Sequence, residues 1–271
     1  AIIYCIMVLG VPNSPRWLLL HKNDEEEARE VLLSIGTEDI EQSIVEIKKS
    51  VSETSVQSKG LFSGKYSKPL GLAFMLAFFN QLSGINFVLY YAPEILEQAG
   101  LAGKESLSSS ISIGAVNLIF TMLGMYLIDK LGRKTLMLLG SVGYIVSLSM
   151  VAYAFFSGAS SGFMLFFICL FIAAHAIGQG AVIWVFISEI FPTKVRAFGQ
   201  SFGSGTHWVF AALITAITPF FLDSNDGVFK DNPWPIFAFF AGFMVLQLLW
   251  VLIIMPETKG KSLEELQAEL T

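Results

Sequence analysis

Charge is what this sequence has least of. Only 14% of its 271 residues are Asp, Glu, Lys or Arg, where soluble domains carry about 25%. Five long stretches hold no charge: Pro69–Ala92, Ser106–Ile128, Thr135–Met164, Ala197–Leu222 and Asn232–Met255. A bilayer-spanning helix needs about 20 mostly apolar residues in a row, and lipid offers the backbone no partners, so helices are the natural form of such runs. Cysteine is nearly absent too. Cys5 and Cys169 both sit in apolar runs and read as small core hydrophobes, with no disulfide or metal-ligand pattern. No signal peptide is expected in the opening residues. No Asp, Glu, Lys or Arg falls in the middle of a span, which argues against a charged substrate and leaves no obvious proton-relay carboxylate. His175 and His207 are the titratable candidates near neutral pH. No nucleophile, metal cluster or acid–base pair shares one membrane depth, so a membrane enzyme is not expected. Neither a cofactor nor a nucleic-acid partner is expected.

What the sequence has is a series of spans. They are predicted at 1–20 (partial), 69–97, 107–130, 134–157, 162–190, 196–222 and 233–255. The first is partial because the chain starts without Met inside the apolar stretch Ala1–Val11, which reads as the end of a span whose beginning is missing. Cations favour cytoplasmic loops. All but two of the 17 Lys and Arg residues fall in one alternating set of loops; Lys104 and Lys230 are the two in the other. This asymmetry predicts a multi-pass protein of the plasma membrane (the inner membrane if bacterial) with a cytoplasmic C-terminus.

Residues 22–57 are polar and helical in pattern. Asn23 and Glu26 suggest a capping-box start, and Ile40, Ile44, Ile47 and Val51 form one apolar stripe. Two or three short cytoplasmic helices are predicted there, the alternative being a solvated linker. After Pro256 the tail repeats the theme, with Ser262 and Glu265 capping a helix over Leu263–Leu270. The predicted organisation is therefore the end of a span (1–20), a cytoplasmic helical linker (21–66), a six-helix bundle (67–255) and a tail (256–271).

Polar residues inside spans mark function or packing. The densest cluster is Asn80-Gln81-Leu82-Ser83-Gly84-Ile85-Asn86, followed by Tyr90-Tyr91. On an unbroken helix Gln81 and Asn86 point about 140° apart, so a break at Ser83-Gly84 is needed to turn both toward one cavity; broken helices build many transporter sites. Amides donate and accept, which suits the hydroxyls of a neutral solute. The competing reading is helix glue, which applies with most force to the lone Asn117. Trp184 suits the apolar face of a sugar ring or simple packing. His175, Gln179 and Trp184 recur at loose spacing. Gly199 and Gly203 form a GxxxG packing signal, and His207-Trp208 follow it. Carboxylates sit instead at cytoplasmic helix ends, where the helix dipole disfavours them without cations nearby. Asp129 is followed by Lys130, Arg133 and Lys134, and Glu189 by Lys194 and Arg196. These are solvated loop pairs or an ion-pair latch that differs between two states.

Five strings carry a resemblance. Pro12-Asn13-Ser14-Pro15-Arg16-Trp17-Leu18 resembles P-E-S-P-R-[FWY]-L. The Asn80–Asn86 cluster with Tyr90-Tyr91 is similar to Q-Q-x-[ST]-G-x-N…Y-Y. Asp129 to Lys134 resembles [DE]-x-x-G-R-[RK], Ser188-Glu189-Ile190-Phe191-Pro192 through Arg196 resembles S-E-[IL]-F-P-x-x-x-R, and Pro256-Glu257-Thr258-Lys259-Gly260 matches P-E-T-K-G. Together they resemble the sugar porters of the major facilitator superfamily, which include bacterial sugar–proton symporters, such as those for xylose, and facilitative glucose transporters. The resemblance implies an all-α membrane protein: the C-terminal six-helix bundle of a twelve-helix carrier plus short cytoplasmic helices, whose partner is a missing N-terminal six-helix half. It implies transport of a neutral monosaccharide or polyol by alternating access, with protons as a possible second cargo. The expected sugar contacts are Asn80, Gln81, Asn86, Tyr90, Asn117, Gln179, Trp184, His207 and Trp208. The expected cytoplasmic gate is Asp129, Arg133, Lys134, Glu189, Arg196 and Glu257. Three positions depart from the pattern: Asn80 stands where a Gln is usual, His207 where Asn or Gln is common, and Gly178–Trp184 lacks the usual proline. A sugar sensor without transport is the rival reading, weakened by a tail of only sixteen residues after Met255. A natural half-transporter that dimerises is another.

Overall fold

A backbone without water closes its hydrogen bonds within its own segment, and each charge-free run does so here. The computed structural model describes residues 8–37, 39–52, 60–101, 103–192, 194–223, 226–261 and 263–270. The chain divides into two compact units, Ala1–Gly60 and Leu61–Thr271.

In the first unit, Ser14 caps a single turn, Pro15–Trp17, by accepting from Trp17 N at 3.1 Å. The turn runs on into a π-helical segment, Leu18–Lys22, that ends at Asn23 in the left-handed conformation. The expected partial span over 1–20 falls partly on residues 1–7, outside the described residues; its remainder is this turn and π-helical segment. Helix α1 spans Glu25–Ser34 and α2 Ile40–Ser52. The predicted cap shifts by one residue. Asn23, at φ +53°, ends the preceding segment, while Asp24 has the extended backbone a cap needs and accepts from Glu27 N at 3.0 Å. Leu18, Leu19, Ala28, Val31, Leu32 and Ile44 form a small core, with Ile40 and Ile47 against it. Over it Arg29 bridges Glu25 and Glu41, and Lys48 reaches Glu25. Hydrogen bonds from Lys48 and Arg29 hold Glu25 below the usual carboxylate range, and Arg29 does the same for Glu41.

Among the described residues, the second unit holds six helices long and apolar enough to cross a membrane: Ser67–Tyr90, Glu105–Leu131, Arg133–Ser157, Ser161–Glu189, Arg196–Leu222 and Trp234–Ile253. The predicted span 69–97 is cut twice, into α3 (Ser67–Leu82), α4 (Ile85–Tyr90) and α5 (Ala92–Gln98). The first cut is the one expected at Ser83-Gly84, where Gly84 takes φ +80°. The second falls at Tyr91, before Pro93, which has no N–H to continue the helix. The remaining elements are α6 (Gly103–Leu131), α7 (Arg133–Ser157), α8 (Ser161–His175), a π-helical segment (Ala176–Gly180), α9 (Ala181–Glu189), α10 (Arg196–Leu222), α11 (Trp234–Ile253) and α12 (Leu263–Leu270).

Helix α7 packs on α11 and α8, α10 on α3, and α6 on the π-helical segment. Lipid gives little drive for helix association, so small residues at the crossings set the contacts. A Cβ on Gly140 would stand 2.9 Å from Gly178 Cα. The Gly199/Gly203 pair lies against Phe191 and Ile187, as a packing motif should. Apolar side chains line the outer surfaces, including Ile111, Leu118, Ile119, Phe166 and Phe220. Leu266 and Leu270 of α12 are buried and Lys68 donates to Glu269 O at 2.9 Å; the expected cap Ser262 lies outside the described residues.

Candidate functional site: an uncharged cavity and an ion-paired helix end

The break at Gly84 shapes the cavity. In its left-handed conformation the chain turns, and Gln81 and Asn86 meet: Asn86 Nδ2 donates to Gln81 Oε1 at 3.0 Å. Gln81 Nε2 donates in turn to Asn80 Oδ1 at 3.2 Å and lies 3.1 Å from His207 Nε2. The ring of His207 is flanked by Trp184 and Trp208, with ring centroids 5.0 and 5.1 Å away. These groups border a cavity of about 250 Å³, near the small end of ligand pockets at about 300–1,000 Å³. It brings together seven of the nine expected contacts: Asn80, Gln81, Asn86, Asn117, Trp184, His207 and Trp208. Among the described residues, no Asp, Glu, Lys or Arg lines it.

Two expected contacts lie elsewhere. Gln179 is fully buried between helices, its amide hydrogen-bonded to Gln247 and to Tyr144 Oη. Gln247 donates onward to Ser141 Oγ at 2.7 Å. Gln179 therefore belongs to an inter-helix polar network, and it sits in the π-helical turn whose wider register carries it off the cavity. Tyr90 ends α4 and is exposed, outside the lining. Sequence reasoning also missed Thr121 and His175 as lining residues. His175 was visible as a rare intramembrane His; its partner, Tyr144 Oη at 2.5 Å, was not. Thr121 lies four residues after Asn117, one helical turn along the same face, and that spacing was the available signal.

At the far ends of the spans the charges converge. Arg133, 8% exposed, opens α7 and grips Glu189 with two donors, Nη2 to Oε1 at 2.6 Å and Nε to Oε2 at 3.1 Å. Such bidentate pairs are the stronger kind. Arg133 also donates to Asp129 Oδ1 and Ile128 O, both at 3.2 Å. Glu189 thus pairs across helices with Arg133, while the local candidate Arg196 donates to Phe191 O at 3.1 Å. Sequence adjacency misled here, because α9 ends facing α7. Glu257 sits over the N-terminus of α7. Its carboxylate accepts from the backbone N–H groups of Arg133 (2.9 Å), Lys134 (3.0 Å), Thr258 (2.9 Å) and Lys259 (2.9 Å). Burial disfavours its charge, but these donors outweigh burial and hold its pKa below the usual range. A Cβ on Gly132 would come within 2.5 Å of that carboxylate. Thr258 Oγ1 adds a bond to Glu189 Oε2 at 2.6 Å, and Lys134 Nζ caps Leu252 O at 3.2 Å.

A helical bundle with six apolar spans, a broken helix at an uncharged polar cavity and charge gathered at one set of helix ends defines a polytopic carrier-type membrane protein. The comparisons make the class specific. The chain belongs to the family described as sugar (and other) transporter, whose model matches residues 1–270. It is 33% identical over 272 residues to the arabinose-proton symporter of Bacillus subtilis (strain 168), covering 98% of this chain and 57% of that protein. It is 32% identical over 282 residues to facilitated glucose transporter protein 1 of Caenorhabditis elegans, covering 99% of this chain and 54% of that one. The solved structure of the proton:xylose symporter XylE bound to 6-bromo-6-deoxy-D-glucose matches with TM-score 0.79 at 30% identity, over 100% of this chain and 57% of its own. The chain thus spans little more than half the length of the relatives it matches. It is an all-α membrane protein with the architecture of a C-terminal six-helix bundle of the major facilitator superfamily, in a family of transporters and not of enzymes.

Proposed function

We propose that this chain supplies the sugar-binding wall of a carrier that moves a neutral monosaccharide or polyol across the membrane by alternating access. The observation that carries the reading is the cavity itself: amides, two imidazoles and two indoles gathered around a space whose described lining holds no Asp, Glu, Lys or Arg. A sugar offers hydroxyls that donate and accept around its ring, which amides match. It also offers a C–H face, which an indole covers. A charged solute would call for a countercharge in a medium of low dielectric. Asn80, Gln81, Asn86, Asn117 and His207 bind hydroxyls, and Trp184 and Trp208 pack on the ring. The matched proteins support this reading, since they are named for arabinose, glucose and xylose. A second six-helix half closes over the sugar, and a proton-coupling acid belongs there, because no carboxylate lines this cavity. The Arg133–Glu189–Asp129 cluster with Glu257 acts as a cytoplasmic latch that holds in one state and opens in the other.

Uptake of radiolabelled D-xylose and D-glucose by cells expressing the protein tests the reading. Gln81→Ala and Asn86→Ala are each expected to lower uptake about tenfold or more, the effect of one lost hydrogen bond and an unpaired buried partner. Uptake at the wild-type level in both variants would remove the site assignment.

A further inference from the structure

His207 lies at the end of a hydrogen-bond chain whose direction it controls. An amide NH2 only donates, so the imidazole nitrogen that Gln81 Nε2 meets at 3.1 Å is unprotonated and accepting. The other end of that amide is fixed by Asn86 Nδ2, which donates to Gln81 Oε1 at 3.0 Å. The chain therefore runs Asn86 to Gln81 to His207. A second polarity satisfies the same side chains once Asn80, whose Oδ1 accepts from Gln81 Nε2 at 3.2 Å, turns its own amide with them. An imidazolium donates from both nitrogens, so Gln81 must turn its Oε1 toward the ring and its NH2 toward Asn86. Asn86 must then turn its Oδ1 toward Gln81 and its NH2 into the cavity.

We propose that protonation of His207 reverses this chain, so that acid exchanges acceptors for donors on the wall facing the solute. The proposal rests on the reading of the cavity as the solute site. The surroundings of His207 permit the change. From α3 it faces Asn80 and Gln81, from α9 Trp184, and from its own helix Trp208. The other ionisable group in the cavity lining is His175, which is bonded to Tyr144. No carboxylate fixes the ring as a cation and no Lys or Arg in the lining prevents it. The two indoles, about 5 Å from the ring, stabilise a cation when one forms.

The test is equilibrium binding of tritiated D-xylose and D-glucose to the protein in lipid nanodiscs at about pH 7.5 and about pH 5.5, on either side of the ordinary imidazole value. Wild type is expected to change affinity by about tenfold between the two, one hydrogen-bond pattern exchanged for another. His207→Gln, whose amide adapts to either polarity without titrating, shows the same affinity at both pH values, whatever that affinity is. His207→Lys, a fixed donor, loses the pH response as well. A flat wild-type response, or an equal response in His207→Gln, overturns the proposal. If neither sugar binds at either pH, the cavity reading fails, and indole fluorescence decides the rest. A transition over this pH range that His207→Gln abolishes supports protonation beside Trp184 and Trp208, and its absence in wild type overturns the switch.

Discussion

Glu257 shows how much one side chain does at a helix end. The N-terminus of α7 presents unpaired N–H groups and a partial positive charge, and the Glu257 carboxylate takes up the N–H groups of Arg133 and Lys134. Its pKa is lowered from 4.5. A group with a depressed folded pKa contributes stability above its unfolded value, and that contribution is lost as pH falls through the folded value. Glu257→Gln is therefore expected to cost about 1 kcal/mol near neutrality, a figure kept small because the group is partly solvated. The gap to wild type should shrink below the ordinary carboxylate value of 4.5. Thermal unfolding in detergent at neutral and acid pH measures both. Arg133 is a stiffer case. With Arg133 nearly buried, Glu189→Ala leaves its charge without its bidentate partner, at an expected cost of about 3 kcal/mol. A double-mutant cycle with Arg133→Ala separates the pair's coupling from that penalty.

At the scale of elements, the cavity depends on two departures from regular helix. The first is the turn at Gly84, where φ +80° and the ring of Phe240, 2.5 Å from a would-be Cβ, both exclude a side chain. Gly84→Ala combines left-handed strain of about 1–2 kcal/mol with overpacking of about 1–3 kcal/mol. Its unfolding midpoint should fall, and sugar binding should fall further than stability alone explains, because Gln81 and Asn86 part. This break was legible, since a polar run with Ser-Gly at its centre cannot serve one cavity as a straight helix. The cut at Tyr91 was legible in Pro93 but was passed over for the apolar run around it. The second departure, the π-helical turn Ala176–Gly180, had no such sign. It overlaps the segment that lacks the usual proline, and Gly140 and Gly178 let α7 approach it closely. Gly178→Val should disrupt that crossing by several kcal/mol, read as lost thermal stability and release of Gln179 from Gln247.

For the whole molecule, the six spans emerge from charge-free length, and the loop cations predict their direction. That direction is testable with single cysteines placed at Lys104, Lys230 and Lys259. An impermeant thiol reagent is expected to label the first two from outside intact cells and the third only after permeabilisation. Labelling of all three from one side would contradict the alternation. The two sets of helix ends differ chemically as well: one set gathers Arg133, Glu189, Asp129 and Glu257, where ion pairs join α6, α7 and α9 and hydrogen bonds of Glu257 and Thr258 tie in the segment after α11.

Length, hydropathy and charge placement along the chain determined the helices, their number and the uncharged character of their polar residues, because lipid leaves a backbone few alternatives. Pairing was decided only in three dimensions. Glu189 reaches Arg133 rather than the neighbouring Arg196. Gln179 serves a network with Tyr144, Gln247 and Ser141 rather than the cavity, and Asn86, Gln81 and His207 join into one directional chain. Those outcomes depend on which faces the helices turn toward each other, and small residues and helix breaks set those rotations through contacts distant in sequence.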